Sequence, residues 1–259
     1  MTRTIRTLAL ALPLAAAAAP AASPLPAASA APVAPVAPQQ GSASVQGTMT
    51  IAGRSGEAID PAGAVVWLEG DAGGPPSPAG GAPAPAGAVP ERATPAPERV
   101  VIDMRSKSFQ PAVVAVPVGS SVSFQNDDPI LHNVFSVSSG NQFDLGLYGR
   151  GDGRAVVFKE PGVVRIFCNV HPQMEAFVVV TPGPWRAAVG ADGHFAIDGV
   201  PAGRYQMQAW DARGGAASYP VEVTAGGTAR VDVRLDASEY RKRPHLDKNG
   251  RPYTDRDRY

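Results

Sequence analysis

The sequence predicts an all-β protein built from two β-sandwiches, on three observations. Gly 28 and Pro 27 among 259 residues are high counts while aromatic residues make up only 7%, a balance that favours short strands and many turns over long helices. Short runs rich in Val, Ile and Phe recur along the chain, bounded by Gly, Pro, Asn or Asp, with no helical period between them. Finally, a Pro/Ala/Gly-rich stretch divides those runs into separate groups.

In chain order, residues 1–22, MTRTIRTLALALPLAAAAAPAA, have two arginines, then an apolar run from Leu8 to Ala19, then small residues. This is the order of a secretory signal, too short to span a bilayer, with cleavage expected between Ala19 and Ala31. No cysteine lies near it to carry a lipid, and it has no twin arginine. Export would place the mature chain in the periplasm or outside the cell. Residues 23–44 are Pro/Ala-rich and offer too little apolar surface to offset ordering entropy, so they are expected to be flexible.

Residues 45–70 read as two strands, over Val45–Ile51 and Ala64–Leu68, separated by Gly, Pro and Asp. Residues 71–98 form a Pro/Gly/Ala linker. Residues 99–181 carry six runs, RVVIDM, AVVAVPVGSSVSFQND, LHNVFSVS, RAVVFKEPG, VVRIFCNV and MEAFVVVTPG, the pattern of one sandwich or barrel. The stretch SSGNQFDLGLYGRGDGRA between them reads as loop, with Asp144 and Tyr148 packing or capping a turn. Residues 182–236 complete the second group, with four strands over Ala191–Asp236 punctuated by Asp192-Gly193, Asp198-Gly199, Ala202-Gly203 and Gly226-Gly227. Residues 237–259 are charged and lack an apolar period, and are expected as a surface extension in which His245 is solvent-exposed, as is His194 in its turn.

Formal net charge is zero, and losing residues 1–22 removes Arg3 and Arg6 but no acid, leaving −2. No basic face dominates, so a nucleic-acid partner is not expected. The segments flanking residues 99–181 show no evident pair of catalytic carboxylates, no Ser/His/Asp arrangement and no Gly-rich phosphate loop leading into a helix, and the chain is not read as an enzyme.

One residue does not fit a bland reading. Cys168 is the only cysteine, and in an oxidising compartment it has no intrachain partner, leaving a bystander, an intermolecular link or a metal ligand. It opens FCNVHPQM, in which Cys168, His171 and Met174 share one short loop, and His132 in NDDPILHNVFSV offers a remote imidazole at the start of a β run. A thiolate and two imidazoles in a plane with a weak axial thioether form a blue-copper site, which holds both copper oxidation states and suits electron transfer.

Residues 99–181 resemble the cupredoxins, most closely the plastocyanin and amicyanin branch. LHNVF is similar to that family's first-histidine segment, CNVHPQM has the two-residue spacings of the short amicyanin-type ligand loop, and FQPAVVAVPVGSSVSFQNDD is similar to the strand, Gly turn and strand that lead to the histidine. The resemblance implies a Greek-key sandwich holding one copper ion, with His132, Cys168 and His171 as equatorial ligands and Met174 as the axial one. It implies that Asn133 pins the two ligand segments together, and that the partner is a redox protein. Four protein ligands would leave no open position for a substrate. Gln173 stands where the amicyanin type has a bulky apolar residue, which weakens the expected apolar docking face. Copper storage, delivery or sensing, and a structural or ligand-binding pair of sandwiches with incidental His, Cys and Met, are the alternatives the sequence leaves open.

DGHFAIDGVPAGRYQMQAW resembles the carboxypeptidase regulatory-like (transthyretin-like) sandwich, whose usual beginning is missing before Ala191 but present at Gln46–Gly70. The resemblance implies a discontinuous, immunoglobulin/transthyretin-like second sandwich with the cupredoxin-like one inserted after its second strand. The alternative is that residues 45–70 add edge strands to the insert.

Overall fold

The computed structural model describes residues 43–72 and 96–253. The predicted export signal, most of the flexible segment after it, the linker from 73 to 95 and the last six residues lie outside the described residues.

Short β-branched runs between turn residues become strands throughout. Before the linker come β1 (Ala43–Ala52), β2 (Ala58–Ile59) and β3 (Val65–Ala72). After it come β4 (Arg99–Met104), β5 (Phe109–Gln110), β6 (Val113–Pro117), β7 (Ser121–Asn126), β8 (His132–Ser136) and β9 (Phe143–Tyr148). Then follow β10 (Gly153–Val157), β11 (Gly162–Cys168) and β12 (Glu175–Thr181). The chain continues with β13 (Arg186–Ala188), β14 (His194–Val200), β15 (Gly203–Asp211), β16 (Gly215–Val223), β17 (Thr228–Arg230) and β18 (Val233–Asp236). No helix occurs among the described residues, and none there is long and apolar enough to cross a membrane.

The strands make four sheets, facing in two pairs. One sandwich joins the order β10-β7-β4-β5 to β6-β12-β11-β8-β9. The other joins β14-β1-β17, with β2 and β18 also on β1, to β13-β3-β15-β16. This second sandwich is discontinuous: β1 pairs antiparallel with β14 and parallel with β17 and β18, while β3 lies between β13 and β15. The ion pair of Glu98 with Arg186 joins the point just before β4 to β13, so the chain enters and leaves the inserted sandwich side by side.

Alternation sets which face of each strand is buried. β7, SVSFQN, places Val122, Phe124 and Asn126 inward and its other residues toward the surface. Two apolar cores result. Val45, Ile51, Leu68, Phe195, Met207 and Leu235 belong to the core of the discontinuous sandwich; Ile102, Phe124, Val164, Ile166, Cys168 and Val178 belong to that of the insert.

Two differences from the sequence reading have local causes. The stretch expected as loop contains β9, because Phe143 and Leu145 pack against the insert core and Tyr148 is buried with its hydroxyl donating to the Phe124 carbonyl (3.1 Å). Five strands rather than four follow Ala191, because the run TARVDVRLD breaks where Val231 crosses Gly47. The Val231 amide donates to the Gln46 carbonyl, and a side chain at Gly47 would meet the Val231 carbonyl oxygen at 1.7 Å. Only a glycine admits that approach.

The outer face of the sheet β6-β12-β11-β8-β9 is covered as well as its inner one. Over β6 and β12, Val113, Ala115, Phe177 and Val179 pack against Val65, Trp67 and Trp210 of the other sandwich, with the Phe177 and Trp210 rings 5.0 Å apart. Full burial of each large apolar side chain contributes about 1.5–3 kcal/mol, so this patch joins the two sandwiches firmly. Over β8 and β11 the cover is the C-terminal segment, and every residue of β8 is buried as a result.

Candidate metal centre

The site is assembled at one end of the inserted sandwich from two segments. The first begins where β7 ends in Asn126, fully buried. Its side-chain amide donates to the carbonyls of Ile130 (2.9 Å) and Tyr148 (3.0 Å), and its oxygen accepts the Asp128 amide (3.0 Å). These bonds shape the loop that delivers His132 to the first position of β8. Asp128 is fixed in turn by the amides of Ser106 (2.6 Å) and Lys107 (2.9 Å), two residues in left-handed backbone (φ 55 and 53) that aim successive N–H groups at one carboxylate.

The second segment is the turn from β11 to β12. Cys168 ends β11, and the loop closes on itself through Met174 N–H to the His171 carbonyl (3.0 Å) and Cys168 N–H to the Met174 carbonyl (3.4 Å). It is tied to β8 by the Asn169 amide, which donates to the Asn133 carbonyl (3.2 Å).

These segments bring three of the four predicted ligands together. Cys168 Sγ lies 3.6 Å from His132 Nδ1 and 3.5 Å from His171 Nδ1, and the two Nδ1 atoms are 3.1 Å apart. Metal bonds of about 2.0–2.3 Å spread at ordinary angles separate their donors by roughly 3–4 Å, so one ion fits among these three atoms. All three residues are buried. Met174 is 1% exposed and belongs to the same core cluster as Cys168, whereas Gln173 beside it faces solvent.

The electrostatics favour a metal over a proton at His171, and a carboxylate orients His132. Burial tends to raise the Asp128 carboxyl, but the Lys107 amide, His132 and the Ser106 amide outweigh it and hold the group below the ordinary carboxylate range. Ionised Asp128, 2.9 Å from His132 Nε2, accepts a hydrogen bond from that N–H and so leaves the Nδ1 lone pair turned toward Cys168. Burial, helped by His132 and Lys107, lowers His171 to about 4, so it is neutral near pH 7. Burial raises the Cys168 thiol, while backbone hydrogen bonds from Asn133, Val170 and His171 act in the opposite direction.

Asn133 meets the ligand loop through its backbone carbonyl, while its side-chain amide donates to Asp144 Oδ1 (2.6 Å) and its Oδ1 is buried without a partner. Asp144 caps the turn at Gly146 (2.9 Å), as a loop aspartate is expected to, but it also accepts from Lys248 Nζ (2.5 Å). His194 is exposed. His245 is not, contrary to its expected place in solvent. Its ring stacks on Phe167 with centroids 4.2 Å apart and meets Tyr253 edge-on at 5.2 Å, because the tail docks through a few separated residues that leave no apolar period in the sequence.

Asp128 was missed by the sequence reading, although a signal existed: a metal-bound histidine usually gives its second ring N–H to an acceptor, and an acid stands four residues before His132. Also unforeseen is an apolar hollow of ≈ 450 Å³ beside His171, walled by Pro129, Ile130, Leu131, Leu147 and Val170 with Lys107 and Arg150 among its lining. Leu131 is 56% and Leu147 53% exposed.

No protein-family model matches this chain, and no curated protein matches it. Among solved structures it is similar to a purple cupredoxin from Nitrosopumilus maritimus, with 26% identity over 32% of this chain and 99% of that one and a TM-score of 0.29. It is similar to a reduced amicyanin variant at 25% identity, covering 31% and 80% of the two chains, TM-score 0.30. A copper-containing nitrite reductase from Thermus scotoductus SA-01 is similar at 28% identity over 34% of this chain and 23% of that one, TM-score 0.31.

Proposed function

We propose that this chain is an exported, periplasmic or secreted, mononuclear blue-copper protein of cupredoxin type that passes single electrons between larger redox proteins. The observation that carries the reading is the buried cluster of His132 Nδ1, His171 Nδ1 and Cys168 Sγ, held within 3.1–3.6 Å of one another. Two imidazoles and a lone thiolate, with the buried thioether of Met174 in the same core, are the donor set of a one-electron copper site. Bound copper would supply a Cu(I)/Cu(II) couple.

The chain's own residues would do the rest. His132, Cys168 and His171 would hold the ion, with the buried thioether of Met174 as the fourth expected donor. Asp128 would fix the His132 tautomer, and Asn133 would keep the Cys168 loop against β8. A fold whose ligands sit on two hydrogen-bonded segments limits movement between oxidation states.

The hollow beside His171 supports a transfer role over storage, because it offers an apolar docking face next to a ligand with Lys107 and Arg150 alongside. A partner with an apolar contact ringed by acidic groups would fit it. The second sandwich, read as a carboxypeptidase regulatory-like module around the insert, would serve as a spacing or binding element.

Copper titration with optical detection tests the reading. One equivalent of Cu(II) should produce an intense visible thiolate-to-copper band that a reductant bleaches reversibly. A colourless copper-loaded protein would sink the proposal. A coloured protein that exchanges electrons slowly but surrenders copper to an acceptor would point instead to copper delivery.

A further inference from the structure

The C-terminal segment leaves β18 as an expected surface extension, yet between residues 245 and 253 it lies across the back of the ligand cluster. Three of its residues touch the two segments that carry the ligands. Tyr253 donates its hydroxyl to the Cys168 carbonyl (3.0 Å). The Lys248 amide donates to Asn169 Oδ1 (2.8 Å), and its ammonium reaches Asp144 Oδ2 (2.5 Å), the same carboxylate whose other oxygen takes the Asn133 side chain. His245 stacks on Phe167, the residue before Cys168, and also faces Phe135 of β8 at 6.3 Å.

The contacts have a common direction. Through Tyr253, Lys248 and His245 the segment holds Phe167, Cys168 and Asn169 on one side; through Lys248 and Asp144 it holds Asn133, the neighbour of His132, on the other. The segment bridges them from outside the sheet, where Phe135 (1% exposed) and Phe167 (4%) would otherwise face water. A lysine and a tyrosine hydrogen-bonded, and a histidine stacked, onto different groups around one short backbone stretch are not what a solvated charged tail provides.

We infer that residues 245–253 form a strap that sets the position of the Cys168 backbone and of Asn133, with Tyr253, Lys248 and His245 as positioning residues for the metal centre. The strap closes the Phe167 side of the site, leaving the hollow beside His171 as the face on which a partner would approach. The inference rests on the copper reading for its spectroscopic consequence alone; the closure of the cluster by the strap is a property of the metal-free chain as well.

The test uses the full chain with Tyr253→Phe, which removes only the hydroxyl, Lys248→Met beside the charge-conserving Lys248→Arg, and a chain ending at Pro244. In the metal-free proteins the rate of Cys168 alkylation by iodoacetamide should rise about fivefold in Tyr253→Phe, the ratio that one hydrogen bond sets. It should rise further in the shortened chain and return toward the parent rate in Lys248→Arg relative to Lys248→Met. In the copper-loaded proteins the charge-transfer band and the reduction potential should move in the same order. Unchanged alkylation across the series, or a lowered melting midpoint with alkylation and spectrum both unmoved, overturns the inference. Should the parent chain bind copper without a charge-transfer band, the copper reading fails while the alkylation series still decides the strap. If the shortened chain does not fold, the Tyr253 and Lys248 variants carry the decision.

Discussion

The two sandwiches are made of the same kind of strand but differ sharply in what they bury. Of the ten buried polar or charged residues described, nine lie between Ser120 and Thr181 in the inserted sandwich, and only Asp211 belongs to the other. Those of the insert gather mostly at one end, as Asn126, Asp128, His132, Asn133 and His171. Burying a polar group costs free energy unless its hydrogen bonds are replaced, so such a concentration is tolerated where it has chemistry to do. The discontinuous sandwich, with its almost wholly apolar core of Val45, Leu68 and Met207 among others, is arranged for packing. The contrast teaches that one half of the molecule supplies rigidity and the other accepts the cost of a site.

The sharpest way to break the contrast is at the thiol. Cys168→Ala should eliminate the visible copper band while circular dichroism keeps the all-β signature; a retained band would mean that the colour does not arise from this thiolate. Next in size is the opposite experiment, in the apolar core. Met207→Ala, at a fully buried position, should cost about 2–5 kcal/mol in denaturant unfolding and leave the copper spectrum unchanged. A shifted spectrum would show that the two halves are not separable in this way.

A smaller effect is expected from the polar shell. Asp128→Asn keeps the size of the side chain but removes the charge that fixes His132, and should weaken copper binding about 10–100-fold in a competition titration. An unchanged affinity would return Asp128 to a purely local role in holding Ser106 and Lys107.

Acid should distinguish the halves most gently. His171 is lowered in the folded chain to about 4 from an ordinary 6.5, so the unfolded chain protonates first as pH falls. The contribution of this group to stability is therefore complete above 6.5 and is lost between 6.5 and about 4. Urea midpoints of the metal-free protein should fall across that window, and His171→Gln should flatten the dependence. Because burial also raises the Cys168 thiol, copper binding near neutral pH should release its proton and take none from His171, which calorimetry in buffers of different ionisation heat would read.

Much of this was legible in the sequence where the signal is local. Cys168, His171 and Met174 share one short loop and His132 opens a β run, and these features together with the lone cysteine pointed to the cluster that His132, Cys168 and His171 form. The all-β architecture follows from alternation, as in β7. What was not legible depends on registers between distant segments. The split of TARVDVRLD into β17 and β18 is set by the approach of Val231 to Gly47, and β9 is a strand because Phe143, Leu145 and Tyr148 find the insert core. The docking of His245, Lys248 and Tyr253 on the ligand segments is hidden by the same cause: isolated anchors in a charged run carry no period.

The position of the strap in the chain has a consequence for biosynthesis. β1 is the first of the described strands to be made and pairs with β14, β17 and β18, so it waits for most of the described residues, whereas the insert has all its described strands by Thr181. A segment with complete pairing partners can fold as a unit while later residues are still arriving. Residues 245–253 follow the strands of both sandwiches in the chain, so the ligand segments receive these contacts only after those strands have been made. A chain cut short after β18 would have the strands of both sandwiches but lack the contacts of His245, Lys248 and Tyr253, so on the copper reading proposed above any thiolate-to-copper band would report whether the strap is present.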